Sequence, residues 1–360
     1  EDADRAAAEA QRREAERLAA LQRQQEADRQ RAEAQRQADE QQRRAAAAAA
    51  ALSGVAPLRQ IAFTDPQSGA GAFAQKIAVS REMVLAGGMD GQIRLWNPSS
   101  NQIAGFAQRQ AGAVSALAVG QGEERVATGS WTGDVVIWDA ANGAQLRTVQ
   151  GPRTPVVALS YRTQNRINAL HSDGTWRILN PEDGQTLMTS SKRKAYQVTS
   201  AQFTADGRTV FAAVSDGPGQ HTIKGWTPAD GGVTREAGEF AGHTDWIYGI
   251  AVSPDGQTLV SASADRTVRV WSVATRREIR RLDVPDGHVR TIAFSADGSL
   301  IATGGDAGMV DVWRTATGAR VARLAGASGT LRSVAFIGGN TTLAAAGDDG
   351  AIRQWAVSVQ

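Results

Sequence analysis

Cysteine is absent from this chain of 360 residues. Disulfide bonds, thiolate metal sites and cysteine nucleophiles are therefore excluded, and both a cytoplasmic and a periplasmic location remain compatible with the sequence. Only four histidines are present, and their scattered positions lack metal-ligand spacing, so we expect no metal site. No run of about 18 apolar residues occurs, so we also expect no membrane-spanning helix.

The chain has little excess charge of either sign, with a formal net charge of +2. Such a balance does not require a nucleic acid or an acidic membrane as partner. Residues 192–194 (Lys-Arg-Lys) form a tight basic cluster. No aromatic residues are interleaved with it and no basic face accompanies it, so we expect no nucleic-acid partner.

Glycine and proline are missing from residues 1–52, which are almost entirely Ala, Arg, Gln and Glu. These residues have high helix propensity. Opposite charges recur at i,i+4 spacing, as in Arg12 with Glu16 and Arg29 with Glu33. The sequence therefore predicts an extended α-helix over 1–52 and a linker over 53–57.

The state of this predicted helix remains open. Its large apolar residues are Leu18, Leu21 and Leu52, fewer than the sustained apolar seam of a coiled coil requires. This scarcity favours a solvated single helix that acts as a spacer. Alanine can still fill such a seam, so a coiled coil with helix-mediated self-association is the alternative.

The segment 241–271 contains three short strand patterns separated by turn residues. The first strand pattern includes Ile250 and the second includes Ser261, with Asp255-Gly256 between them. The third strand pattern ends at Trp271. These patterns predict a small antiparallel sheet with two apolar faces, which needs similar sheets on both sides to bury them.

Tryptophan marks the copies of this unit along the chain. The tryptophans recur at intervals of about 42–45 residues, with one double interval that has Leu179 near its middle. The members of this series are Trp96, Trp138, Trp226, Trp271, Trp313 and Trp355. The pattern resembles the WD40-repeat family of bacterial type, and the resemblance implies an all-β, seven-bladed propeller over 58–360, preceded by the helix.

The last repeat lacks a fourth strand, because only five residues follow Trp355. In WD40 rings an N-terminal strand supplies the missing outer strand. Residues 58–63 have a strand pattern with no partner before it, so the resemblance implies that they close the ring. Closure would remove two sheet edges that otherwise favour aggregation.

The WD40 resemblance also implies a buried hydrogen-bonded tetrad. One blade matches it fully, with His243, Ser261, Asp265 and Trp271. A His-Ser-Asp set is also compatible with a hydrolase, but the family role is structural, and we expect no catalytic residues. In blade three, Leu179 replaces the tryptophan, and we interpret Trp176 as filling the volume that Leu179 leaves.

The resemblance places the loops before the first strands and between the second and third strands on one rim, where partners usually bind. Alignment on Ile250 puts Arg153 and His288 at the position of Trp246, which favours an aromatic and basic hot spot for a protein or peptide. The predicted partner-binding residues are Phe73, Trp131, Arg153, Tyr196, Gln197, His221, Trp246 and His288.

The most direct functional interpretation is a non-catalytic protein-interaction scaffold. Two alternatives remain. The chain, which begins at Glu1 rather than Met, could be the regulatory or sensing part of a larger bacterial effector, such as a caspase-like peptidase or a kinase. It could also be a propeller enzyme or small-molecule binder. Quinone-cofactor propellers place a tryptophan where this chain has Leu146, Leu187 and Leu324, so we expect no cofactor.

Overall fold

The computed structural model describes residues 59–62, 74–80, 83–97, 100, 102–106, 108–120, 122, 124–162, 165–190, 197–217, 219–228 and 234–357. Several predicted features lie outside these residues. They are the helix over 1–52, the linker over 53–57, the basic cluster 192–194, Phe73 and Tyr196.

The described residues form seven four-stranded antiparallel sheets, which we number as blades in chain order. Blade one contains β2 (Ala74–Ser80), β3 (Met83–Gly88), β4 (Ile93–Asn97) and β5 (Gln102–Gly105). Blade two contains β6 (Val114–Val119), β7 (Arg125–Ser130), β8 (Val135–Asp139) and β9 (Gln145–Val149). Blade three contains β10 (Val156–Arg162), β11 (Arg166–His171), β12 (Trp176–Leu179) and β13 (Thr186–Thr189). Blade four contains β14 (Gln197–Phe203), β15 (Val210–Ser215), β16 (His221–Pro228) and β17 (Thr234–Ala241).

The remaining three blades come from the last third of the chain and from one N-terminal strand. Blade five contains β18 (Ile247–Val252), β19 (Thr258–Ser263), β20 (Thr267–Ser272) and β21 (Glu278–Asp283). Blade six contains β22 (Val289–Phe294), β23 (Leu300–Gly305), β24 (Val310–Arg314) and β25 (Arg320–Leu324). Blade seven contains β26 (Leu331–Ile337), β27 (Thr342–Gly347), β28 (Ala351–Ala356) and β1 (Arg59–Ala62).

The first strands of the blades contact one another in a closed cycle, in which β26 of blade seven meets β2 of blade one. The seven blades therefore form a propeller around a central axis. Strand β1 lies at the outer edge of blade seven, where Arg59 is opposite Gln354 and Ala62 is opposite Ala351. The end of the ring is thus joined to its beginning within one sheet, which leaves β28 without an open edge.

Each interface between blades is a continuous apolar cluster. The cluster that joins blades seven and one contains the buried residues Trp96, Ile337 and Ile352 together with small alanines. Trp271, in the third strand of blade five, packs in the same way against Phe240 of blade four. Apolar burial between neighbouring blades therefore holds the ring together, at roughly 25 cal/mol for each Å² removed from water.

The interpretation of Trp176 as a substitute for the volume lost at Leu179 is wrong. Leu179 faces blade two and packs in the cluster between blades two and three. Trp176 packs in the cluster between blades three and four, with its ring centroid 5.5 Å from that of Phe203. The two residues are three apart on one strand, and side chains at an odd spacing point to opposite faces of a sheet.

Each first strand has a register irregularity near its start, and the extra residue stands outside the regular pairing. In blade five the irregularity falls between Ile247 and Gly249, so Tyr248 is the extra residue. In blades six and seven the extra residues are Arg290 and Arg332. Bulges redirect side chains, and here they occur where the first strands enter the ring.

Ring closure by β1 gives a first prediction. Deleting residues 1–64 removes the four paired residues of β1, which should lower the free energy of unfolding by about 3 kcal/mol and the melting temperature by several degrees. Thermal unfolding followed by circular dichroism measures the effect. The matched control deletes residues 1–52 and keeps β1, and its melting temperature should stay near that of the full chain. Equal melting temperatures for the two truncations would contradict the role of β1 in closure.

Candidate functional site: the upper rim and the blade-five tetrad

We call the loops before the first strands and between the second and third strands the upper rim. Within a blade these two loops lie side by side, because backbone hydrogen bonds connect them. The amide of Ala264 donates to the carbonyl of Trp246 at 2.8 Å, and the amide of Trp131 donates to the carbonyl of Ala113 at 3.1 Å. Residues from both loops of each blade therefore face the same edge of the ring.

Trp131 is the most exposed large apolar residue among the described residues, with 55% of its surface accessible. Sequence reasoning did not select its counterpart in blade one, Met89, which is 46% exposed. The two occupy equivalent places, since Gly88 pairs with Ala74 as Ser130 pairs with Val114. Met89 directly precedes the turn residue Asp90, and this position in the sequence could have indicated that it is exposed. We call these two residues the Met89–Trp131 surface.

Trp246 is only partly exposed and contacts His221, the first residue of β16 in blade four. Its ring centroid lies 5.2 Å from that of His221, with an interplanar angle of 46°. His221 itself is 6% exposed. This histidine is therefore largely covered and contacts Trp246, and its direct contact with a partner stays a prediction.

Arg153 does not occupy the Trp246 position, which is a second correction. Val156 pairs with His171 as Ile247 pairs with Ser263, so the equivalent of Trp246 is Pro155. Arg153 lies two residues earlier on the same loop, exposed and with a left-handed φ of 54°. A slip of two residues keeps every side chain on its expected face, and the apolar alternation of the strand could not reveal it.

Gln197 begins β14, pairs with Ser215 and is exposed on the rim of blade four. His288 lies on the rim of blade six, where its Nδ1 atom is 3.0 Å from Oδ2 of Asp306. Asp306 also accepts a hydrogen bond of 2.8 Å from Nε of Arg290. His288 is therefore part of an ion-pair cluster rather than an isolated contact residue.

The charged cluster extends across blades five to seven and was not predicted. The guanidinium of Arg290 lies over the ring of Tyr248, 4.2 Å from its centroid. Arg332 forms two hydrogen bonds with Asp348, at 2.8 and 2.6 Å. Burial is the largest single influence on Asp306 and opposes its ionisation, but the hydrogen bond and charge of Arg290, with His288 and Thr330, together outweigh burial and lower the pKa of this carboxyl. The rim thus exposes the large apolar side chains of Met89 and Trp131 on blades one and two and carries ion pairs on blades six and seven.

The second arrangement, beneath the rim of blade five, is a continuous hydrogen-bonded tetrad. Asp265 Oδ2 lies 2.7 Å from His243 Nδ1, and His243 Nε2 lies 2.7 Å from Ser261 Oγ. Trp271 Nε1 donates to Ser261 Oγ at 2.9 Å. These hydrogen bonds connect the loop before β18, strand β19, the turn that follows β19 and strand β20.

Electrostatics assign a protonation state to this tetrad. Burial lowers the pKa of His243, although the Asp265 carboxylate opposes the shift. Burial also opposes ionisation of Asp265, but hydrogen bonds from His243 and Thr267 outweigh it and hold the pKa of this carboxyl well below its ordinary value. His243 is therefore neutral at pH 7. Its Nδ1–H donates to Asp265 and its Nε2 accepts the proton of the Ser261 hydroxyl.

The distances within the tetrad match those of a hydrolytic triad, but its surroundings do not. Ser261 is fully buried, and its oxygen already accepts from Trp271. A nucleophilic serine must reach a substrate carbonyl. The buried position of Ser261 therefore fits a structural role.

Blade two contains a related network that sequence reasoning missed. Gln110 occupies the position of His243, and its Oε1 accepts a short hydrogen bond from Thr128 Oγ1. Trp138 Nε1 donates to the same Thr128 oxygen at 2.8 Å. Glutamine thus takes the acceptor role of histidine. The available signal was the equal spacing from Gln110 to Leu117 and from His243 to Ile250.

Comparison with known families identifies three of the repeats. The sequence profile described as "WD domain, G-beta repeat" matches residues 235–272, 278–314 and 318–356. These segments are WD40 repeats. Each one begins at, within or just before the outer strand of one blade and continues through the first three strands of the next. A WD40 repeat therefore belongs to two blades, and this overlap ties neighbouring blades together.

A short part of the chain is also similar to curated proteins. The "Ribosome biogenesis protein BOP1 homolog" of Drosophila persimilis is 43% identical over 53 residues, which is 15% of this chain and 7% of that protein. The homologues of Drosophila mojavensis and Drosophila willistoni match with 43% and 42% identity over the same length. The match spans about 7% of these relatives, so nothing about their activity follows for this chain. No helix in the described part of this chain is long and apolar enough to cross a bilayer.

A substitution pair tests the tetrad. His243→Ala should lower the free energy of unfolding by about 2–3 kcal/mol, because it leaves the buried Asp265 and Ser261 without a partner. His243→Gln should cost about 1 kcal/mol or less, because Gln110 makes the same acceptor contact in blade two. Urea unfolding at pH 7.5 measures both values. Equal losses of unfolding free energy in the two variants would show that the hydrogen bonds of His243 do not contribute to stability.

The lowered pKa of His243 also predicts a pH dependence. The unfolded chain binds a proton at this residue near its ordinary pKa of 6.5, whereas the folded chain binds it only at lower pH. Stability that is present above pH 6.5 is therefore lost as the pH falls below it. Urea unfolding at pH 7.5 and pH 5.5 should show a larger loss in the unsubstituted chain than in His243→Gln. Parallel losses in the two proteins would contradict this assignment.

Proposed function

We propose that this propeller is a non-catalytic scaffold that binds a protein or peptide on its upper rim, with Trp131 as the main anchor. The observation that supports it most is the exposure of Trp131 at 55%. A seven-bladed propeller with WD40 repeats is typically a protein-interaction scaffold, and such propellers are generally not catalytic. The proposal assigns this general role to one edge of this ring.

The Met89–Trp131 surface has the chemistry of a binding hot spot. Tryptophan is enriched among residues that contribute most to protein binding, and a flexible methionine at the equivalent position of the neighbouring blade adapts to varied apolar side chains. Both residues lie on turns between second and third strands of adjacent blades. Their apolar surface gains most when a partner covers it.

The charged side of the rim supports orientation rather than anchoring. The side chains of Arg290 and Arg332 are already paired with Asp306 and Asp348. Rim charges of this kind mainly set specificity and association rate. Trp246, Arg153, Gln197 and His288 complete the proposed contact surface around the ring. The helix predicted over 1–52 remains a prediction, and in this proposal it serves as the spacer that holds the ring.

The test is a substitution series measured against a peptide selected on the full chain from a random dodecapeptide library. Trp131→Ala should weaken affinity for that peptide by about 30-fold or more, the equivalent of about 2 kcal/mol. Met89→Ala should weaken it less, and the melting temperature of both variants should stay near that of the parent. Isothermal titration calorimetry measures the affinities.

The matched control is Leu146→Ala. Leu146 is also an exposed apolar residue of blade two, but it lies on the outer strand β9, away from the rim. Its substitution should leave peptide affinity unchanged. Full binding by Trp131→Ala, or an equal loss in Leu146→Ala, would place the site elsewhere.

A further inference from the structure

The first strands of the blades enclose a central channel with a cavity of about 390 Å³. Its walls are mainly backbone and small or apolar side chains from the first strands. Among the described residues that line it, the ionisable ones are Lys76, Tyr248 and Arg290, and no carboxylate is present. The channel therefore carries positive charge without an acidic group in its wall.

Lys76 differs in size and charge from the residues at the equivalent position of the other six blades. It pairs with Gly87 directly after the bulge of β2, and the other six first strands have small residues at the equivalent point. These residues are Ala116, Ala158, Ser200, Gly249, Thr291 and Ser333. A long charged side chain in one blade of seven is not required by the architecture.

Two of these small residues, Ser333 and Thr291, form hydrogen bonds to the next blade. Ser333 Oγ accepts a hydrogen bond from the amide of Ile77 at 3.1 Å, and Thr291 Oγ1 accepts one from the amide of Val334 at 3.2 Å. Both contacts join one blade to the next. An ammonium group has donors and no acceptor, so Lys76 does not replace these hydroxyls.

The charge of Lys76 is uncompensated. Within the described part of the chain the Lys76 side chain forms no ion pair or hydrogen bond, and burial lowers the pKa of its ammonium group. Arg290, in contrast, is neutralised by Asp306 at 2.8 Å. A partly enclosed charge without a counter-ion is unfavourable, and a carboxylate that enters the channel would remove that cost.

We propose that the channel receives an acidic side chain of the peptide bound on the upper rim, and that Lys76 binds its carboxylate. This inference rests on the proposed function. Lys76 is the third residue of β2, roughly 7 Å below the rim at about 3.3 Å per residue. It belongs to the same blade as Met89. The preferred peptide therefore has an Asp or Glu close to the apolar residue that contacts the Met89–Trp131 surface.

The first experiment uses the full chain labelled with ¹³C at the lysine ε carbon. The sequence contains four lysines, Lys76, Lys192, Lys194 and Lys224, and Lys76→Met assigns the signal of Lys76. The probe is N-acetyl-glutamate N-methylamide, and its neutral control is N-acetyl-glutamine N-methylamide. The glutamate probe alone should shift the Lys76 signal and raise its pKa, because a bound carboxylate favours the charged ammonium.

The control residue is Lys224, which lies on β16 and is paired with Glu239 at 3.4 Å. Its signal should respond to neither probe. No shift of Lys76 with the glutamate probe, or equal shifts with both probes, would overturn the proposal. A shift of Lys224 as large as that of Lys76 would also overturn it, since binding would then be nonspecific.

The second experiment separates this inference from the proposed function. Dodecapeptides selected on the parent chain should carry an acidic residue at a constant distance from an apolar residue. Lys76→Met should weaken their binding at least tenfold, while Lys76→Arg should retain most of it. The melting temperatures of both variants should match that of the parent.

The outcomes are distinct. Peptides that require Trp131 but show no acidic preference, and that bind Lys76→Met fully, would overturn the channel site and keep the rim function. A glutamate probe that binds Lys76 when no peptide is selected would overturn both the rim function and the peptide source of the carboxylate, and would leave a site for small carboxylates. Equal binding by the Met and Arg variants would overturn the role of the Lys76 charge.

Discussion

Each blade has two apolar faces and depends on its neighbours to bury both. This mutual burial requires close approach of the sheets, and in blades one, two and six a glycine near the end of the second strand allows it. At Gly129 a Cβ atom would lie 2.5 Å from the Cβ of Val156 in the next blade, a distance that real contacts do not reach. Gly87 is similarly close to Val114 of blade two, and Gly304 approaches Leu331 of blade seven at a tight 3.1 Å. Because every interface is an apolar cluster, an open ring would expose one complete apolar face, so closure by β1 contributes to stability.

The same constraint explains where the blades differ. Interfaces must be filled, but the polar links beneath the rim can vary as long as each buried group has a partner. Blade five uses His243 with Ser261, and blade two uses Gln110 with Thr128. The WD40 profile matches only the segment 235–356, although blades one to four have the same four-stranded topology. Conserving the architecture therefore requires apolar burial more than it requires one particular tetrad.

The sequence was sufficient for the seven blades, because tryptophan spacing and turn residues report directly on repeated sheets. It was not sufficient for details that depend on register or on contacts between loops. The two-residue slip at Arg153 is invisible to a pattern of period two. The burial of His221 depends on its contact with Trp246, which belongs to the next blade. Met89 and Lys76 are noticeable only after equivalent positions of the seven blades are compared, since neither belongs to a motif.

The central claim is that a closed, rigid ring presents its upper rim to a partner. Hydrogen–deuterium exchange of the full chain, measured with and without a selected peptide, tests this most directly. The account predicts slow exchange in the first strands in both states and new protection on binding in the rim segments 88–91 and 130–133. Protection confined to the turns on the opposite edge, such as 141–144 and 182–185, would contradict it.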